Sequence, residues 1–173
     1  MHPRRLHLLR HAKSSWKEPI QSDHDRPLSS RGERTLDVIR GHVVEHDIAP
    51  DVILCSTARR AVATAAGIGL TAPVVHEPAL YSATADDLLA RLRRVDPAVH
   101  EVLLVGHNPA LQMLILRLAD CRHADHPELL DDVRIKLPTG AFASFDVGCD
   151  WEHLHDGAAQ LATLMCPRAL QYL

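Results

Sequence analysis

A chain of 173 residues, 46% hydrophobic and 24% charged, is long enough to bury a sizeable core and has the composition of a folded, soluble-type domain. A formal net charge of -3 argues against binding nucleic acid through bulk basic charge, although it leaves room for a local positive pocket. No segment approaches the roughly 20 apolar residues needed to cross a bilayer, and the N-terminal apolar run is too short for a secretory signal, so no membrane partner and a cytoplasmic location are expected.

Leu6–Leu9 is a short apolar run that stops at Arg10-His11 and reads as a buried strand. Residues 12–29 contain Pro19, Pro27 and several Ser and Asp without any period, which predicts a long loop, a feature often tied to function. Ser29 or Ser30 is placed to cap the next helix, with Glu33 completing a capping box from Ser30. Leu36, Ile39, Val43 and Val44 then carry helical spacing to about His46. Asp51–Cys55 predicts a second strand, Ser56 a helix cap, and Ala58–Leu70 an Ala-rich helix. A short strand at Val74-Val75 and a helix over Thr84–Arg94 follow.

Glu101–Val105 is the clearest central strand; Gly106-His107-Asn108-Pro109 breaks it, and Pro109 suits the first turn of a helix reaching Ala119. Cys121–Glu128 reads as a loop, and Ala141–Val147, Trp151–Leu154 and Leu161–Met165 read as strands. Alternation of strands and helices predicts an α/β fold: one domain over residues 1–173, a three-layer α/β/α sandwich with a mostly parallel sheet and antiparallel edge strands. With only 3% aromatic residues, its core is built from Leu, Val, Ile and Ala. The four cysteines form no CxxC pair, which disfavours a zinc ribbon or thioredoxin-like motif; Cys55 reads as a core residue and a disulfide framework is not expected.

In such sheets ligands sit beyond the carboxyl ends of the strands. Three groups fall at such ends: Arg10-His11, Ser56 to Arg60, and Gly106-His107. Arginine's planar fork binds two oxyanion oxygens at once, and a neutral imidazole nitrogen is a nucleophile near neutral pH. Taken singly, a histidine at a strand end is more often structural and an arginine in a helix's first turn more often faces solvent. Two of each converging at strand ends favour an anion site, with Lys13, Arg26 and Asn108 as further substrate-binding candidates.

Leu8-Leu9-Arg10-His11-Ala12 resembles the Arg-His-Gly signature of the histidine phosphatase superfamily, with Ala12 in place of the glycine. Cys55 to Ala65, with Ser56, Arg60-Ala61 and Thr64, resembles the second block, and Val105 to Pro109 the third, with its second histidine. Asp25 to Gly32 and Pro138-Thr139-Gly140-Ala141 are similar to stretches of the short, SixA-type phosphohistidine phosphatases; the likeness spans about residues 6–147. The resemblance implies that His11 attacks phosphorus and becomes a phosphohistidine, while Arg10, Arg60 and His107 hold the phosphoryl oxygens. Arg60 is preferred to Arg59 because the family's arginine directly precedes the alanine. With arginines neutralising the charge, no metal and no cofactor is implied.

Larger members carry an acidic proton donor after the short third strand, where this chain reads Glu77-Pro78-Ala79; Glu77, Asp86 and Asp87 lie out of register. An alkoxide leaving group needs a proton from the enzyme, whereas imidazole is far less basic. The gap therefore points to a phosphoramidate such as phosphohistidine on a phosphorylated protein partner. The alternatives are a small phosphate substrate, hydrolysed by a phosphomonoesterase of the same superfamily, and a non-catalytic phosphate-recognition module.

Other histidines have plain readings. His42 and His46 have helical i, i+4 spacing but lack a matching acidic or Cys partner for a metal. His123 and His126 fall in a polar loop, and His153 and His155 would share an exposed strand face. Trp151 reads as a strand or core residue.

Overall fold

The apolar run at the N-terminus forms β1 (Arg4–Arg10), which lies between a parallel neighbour, β4 (Glu101–Gly106), and an antiparallel one, β5 (Phe142–Val147). The computed structural model describes residues 4–17, 19, 22–119 and 127–167. With β2 (Val52–Ser56), β3 (Val74–Glu77) and β6 (Ala159–Met165) these strands form one sheet in the order β3-β2-β4-β1-β5-β6. The first four are mutually parallel, and β5 and β6 add the antiparallel side. The central strands β2 and β4 read as continuous apolar runs because both faces of the sheet are covered there. Leu6, Leu8, Leu54, Val102 and Leu104 point into one core, and Leu9, Ile53, Cys55, Leu103 and Val105 into the other, following the two-residue pleat.

The first core is roofed by α3 (Ala85–Leu92), α4 (Ala110–Leu118) and α5 (Pro127–Ile135), through Leu88, Leu92, Leu111, Leu114, Leu130 and Val133. The second is roofed by α1 (Ser30–Glu45) and α2 (Arg59–Gly67), through Leu36, Ile39, Val43, Ala61 and Ala65. This is the α/β/α layering expected from the alternation of elements. Burial pushes the Cys55 thiol up to about 12, which suits a packing role.

Several local expectations are corrected. Ser29 caps α1: its Oγ accepts from the Gly32 amide at 3.1 Å, and because Ser30 is already helical the box with Glu33 does not form. Ser56 ends β2 instead of capping α2, which begins after Ala58. The loop expected to reach Glu128 instead ends at α5, whose Pro127 start and Leu130/Val133 spacing are helical signals. Its part over Cys121–Asp125, like His123 and His126, lies outside the described residues. Trp151–Leu154 is not a strand: Trp151–His153 is a one-turn 3-10 helix, with Trp151 and Leu154 buried and the two residues between them exposed. That i, i+3 burial fits a turn and not a pleat, and the Trp151 indole N–H donates to the Val99 carbonyl at 2.7 Å. His153 and His155 are exposed, but on a turn and the segment after it.

Candidate active site

Strand register brings the two histidines together. Arg10 on β1 pairs with Gly106 on β4, so the next residue of each strand, His11 and His107, leaves the sheet beside the other. Their ring centroids are 5.1 Å apart. The His11 Nδ1–H donates to the Ala12 carbonyl at 2.8 Å, since a carbonyl can only accept. Nε2 therefore carries the lone pair, and it accepts from Arg60 Nε–H at 3.3 Å.

Each neighbour is pinned by backbone or side-chain partners. Arg60 sits in the first turn of α2, where Thr64 Oγ donates back to the Arg60 carbonyl at 2.7 Å and accepts the Ala12 amide at 3.0 Å. Helix α2 is thereby tied to the segment after β1. Arg10 donates from Nη1 to the Leu137 carbonyl at 2.6 Å, and Asn108 Nδ2 donates to Gln112 Oε1 at 3.1 Å. Gly140 adopts φ +78° and its amide lies 3.0 and 3.1 Å from the Arg10 and His11 carbonyls, a conformation open to glycine at little cost. Gly32 permits another close approach: a Cβ there would sit 2.1 Å from the Lys13 carbonyl oxygen. That same carbonyl accepts from the Ser29 amide and hydroxyl, so the start of α1 holds the loop that carries Lys13.

These groups surround an open cleft of about 270 Å³, lined by Arg10, His11, Lys13, Arg26, Arg60, His107 and Asn108 together with Ser14, Trp16 and Thr139. All seven residues singled out in the sequence thus meet at one place, whereas Arg59 is exposed and does not line it. Burial, then the nearby His107, Arg60 and Arg10, push His11 down to about 3 against the opposing Ala12 carbonyl. Burial and then Arg60 push His107 down to about 4. Both rings are neutral near pH 7, which leaves a lone pair aimed into a positively charged, anion-sized recess. Among the described residues no group of three or more His, Cys, Asp or Glu side chains is arranged to hold a metal ion.

Residues 6–89 match the model of the histidine phosphatase superfamily, branch 1. The SixA protein of Nakamurella multipartita superposes with a TM-score of 0.84 at 32% identity, over 95% of this chain and 96% of that one. The chain belongs to the histidine phosphatase superfamily, in its SixA-type branch. As a superfamily member it is a phosphatase. The SixA protein of Agrobacterium tumefaciens is similar as well, with a TM-score of 0.77 at 27% identity over 95% and 99% of the two chains. The uncharacterized protein Rv1276c of Mycobacterium tuberculosis is 35% identical over 92% of this chain and 100% of its own length.

Other side chains of this phosphatase hold the cleft residues in place. Asp23, in a short 3-10 turn (Asp23–Asp25), gathers two of the three cleft arginines: its Oδ2 accepts from Arg60 Nη2 at 3.0 Å, its Oδ1 from Arg26 Nη1 at 3.0 Å, and its carbonyl from Arg60 Nη1 at 2.7 Å. Tyr81 O–H donates to the same Oδ2 at 2.7 Å. The Tyr81 and Arg26 hydrogen bonds hold the Asp23 carboxyl well below the usual carboxylate range. An acid three residues before Arg26 in a polar loop was the available signal for Asp23; nothing local marked Tyr81. Ser56, read in the sequence as a helix cap, instead lies with its Oγ 2.7 Å from His107 Nε2. Glu77 is bound to Arg91 at 2.6 to 2.9 Å, Asp86 pairs with Arg117 at 2.7 Å, and Asp87 completes the Thr84 capping box of α3. None of these three carboxylates lines the cleft.

Proposed function

We propose that this phosphatase hydrolyses phosphohistidine, or another phosphoramidate, on a protein, through a phosphoryl group carried on His11. The observation that carries the reading is the cleft itself. It holds the His11 lone pair among Arg10, Arg60 and His107, and among the described residues no carboxyl group lines it as a proton donor. In the first step His11 Nε2 bonds to phosphorus as the P–N bond to the substrate breaks in line. The electron pair of that bond stays on the leaving nitrogen, so a ring protonated at its other nitrogen departs as neutral imidazole. Arg10, Arg60 and His107 stabilise the charge on the equatorial oxygens, with Arg26, Asn108 and Lys13 around them. Water then attacks phosphorus, returns the pair to Nε2 and releases inorganic phosphate.

Asp23, the acid that among the described residues binds Arg60 and Arg26, is kept ionised by its partners and has no proton to give near pH 7. An ester would need that proton for its alkoxide, whereas an imidazole leaves without it. Lys13 and Trp16 of the cleft lining are both exposed, which gives a protein side chain access. The test uses a protein radiolabelled on a phosphohistidine. Label trapped on the wild type and absent from His11→Ala, with turnover faster than for small phosphate esters, is the expected result. Faster ester turnover would replace the phosphoramidate with a small-molecule substrate, and phosphate binding without any label would mean a recognition module.

A further inference from the structure

Trp16 is 74% exposed, in a chain whose other tryptophan, Trp151, is 1% exposed. An indole left in water lacks the stabilisation of burial, yet this one is held in place. The Arg26 guanidinium carbon lies 3.2 Å from its ring centre. Arg26 is itself buried and immobilised, donating from Nε to the Ser15 carbonyl at 3.1 Å and from Nη1 to Asp23. The loop bearing Trp16 is closed on the loop bearing Arg26 by the Ser14–Leu28 bridge and by the Ser15 amide on the Pro27 carbonyl at 2.9 Å. One face of the indole is therefore backed by a fixed cation, and the residue's exposure leaves the other face open on the wall of the cleft that holds His11.

We infer that the open face of Trp16 is a stacking surface for the ring of the leaving group, and that it selects planar aromatic phosphoramidates over ring-free ones. The inference rests on the phosphoramidate reading above and adds the chemical class of the group that departs. In-line transfer puts the leaving group on the side of phosphorus away from His11 Nε2, against the rest of the cleft lining, to which Trp16 belongs. A flat ring there meets a flat, rigid partner that loses little conformational freedom on contact. An offset stack of that kind is worth about a three- to tenfold preference.

The test compares phosphoimidazole with phosphoramidate, which carries the same P–N bond without a ring. Trp16→Ala is expected to lower the ratio of their kcat/KM values about three- to tenfold, and Trp16→Phe to restore most of it. In the His11→Ala protein, phosphoimidazole is expected to quench Trp16 emission while phosphoramidate does not. Trp16→Phe in that background supplies the Trp151 baseline. An unchanged ratio, or quenching that does not depend on the ring, overturns the stacking role and leaves Trp16 as a support for Arg26. Ring-dependent quenching together with no turnover of either compound by the wild type would retain the stacking surface and reject the phosphoramidate reaction.

Discussion

Strand β1 and the residue that follows it hold two buried histidines four residues apart, and their surroundings differ. His7 lies mid-strand: its Nε2–H donates to Glu101 Oε1 at 3.1 Å, and its Nδ1 accepts from Ser144 O–H at 2.8 Å. Glu101 in turn pairs with Arg5 and accepts the Ala49 amide at 2.8 Å. Every nitrogen of that ring is occupied by the protein, so His7 ties β1 to β4 and β5 and has nothing to offer a ligand. His11 lies just past the strand end with only Nδ1 fully engaged, and its Nε2 faces a cleft ringed by guanidinium groups. Burial alone does not distinguish the two; what each ring faces does, a hydroxyl and a carboxylate inside the sheet for His7, an open cleft beside the Arg60 guanidinium for His11.

Perturbing each cluster sharpens the contrast. The largest effect is expected from Arg60→Ala, which removes a guanidinium from the oxyanion recess and should lower kcat about 100- to 1000-fold while leaving the melting temperature nearly unchanged. Arg60→Lys should not rescue it, because an ammonium cannot reproduce the fork. Glu101→Ala should do the reverse. It strands His7 Nε2 and the Ala49 amide, so it should lower unfolding free energy by about 2 kcal/mol in urea titrations while kcat/KM stays within twofold.

His42, on the inner side of α1, belongs to the structural group: burial and then His46 push it down to about 4, and its Nε2 has no partner among the described residues. Its folded value lies below the unfolded 6.5, so the unfolded chain takes the proton first. Stability is therefore intact above pH 6.5 and falls as the pH drops from 6.5 toward 4, by about 2 kcal/mol at pH 5 for this group. His42→Leu should narrow the gap between unfolding free energies at pH 7 and pH 5 by that amount. The smallest effect is expected from Asp23→Ala, which frees Arg60 and Arg26 from their shared anchor; kcat/KM should fall about tenfold, with Asp23→Asn recovering part because its amide oxygen still accepts from arginine. Full activity in Asp23→Ala would show that the arginines are held without it.

The site was legible where chemistry adjoins an abrupt end of an apolar run. His11 follows Leu6–Leu9, His107 follows Val102–Val105, and Arg60 opens a helix just after Ile53–Cys55, so the α/β alternation alone sends all three to one edge of the sheet. Trp16, Asp23 and Tyr81 carried no such mark. They lie in a loop without period and in a turn 58 positions beyond Asp23, and they meet only when the chain has closed. Helix α5 and the turn at Trp151 escaped for a related reason: each rests on one or two apolar residues at i, i+3 spacing, too few to outweigh neighbouring turn or strand propensity.

The order of strands and helices and the two apolar faces of each central strand follow from the chain's own pattern, because periodicity and apolar runs are local properties, and the family resemblance of short motifs singles out His11, Arg10, Arg60 and His107. Tertiary structure alone decided which nitrogen of His11 keeps its lone pair, which carboxylate gathers the arginines, and which indole face stays open beside them. The first depends on the turn that brings the His11 ring onto the neighbouring Ala12 carbonyl, and the others on contacts between separate parts of the chain, which exist only once the sheet register and the loop closure have set the distances.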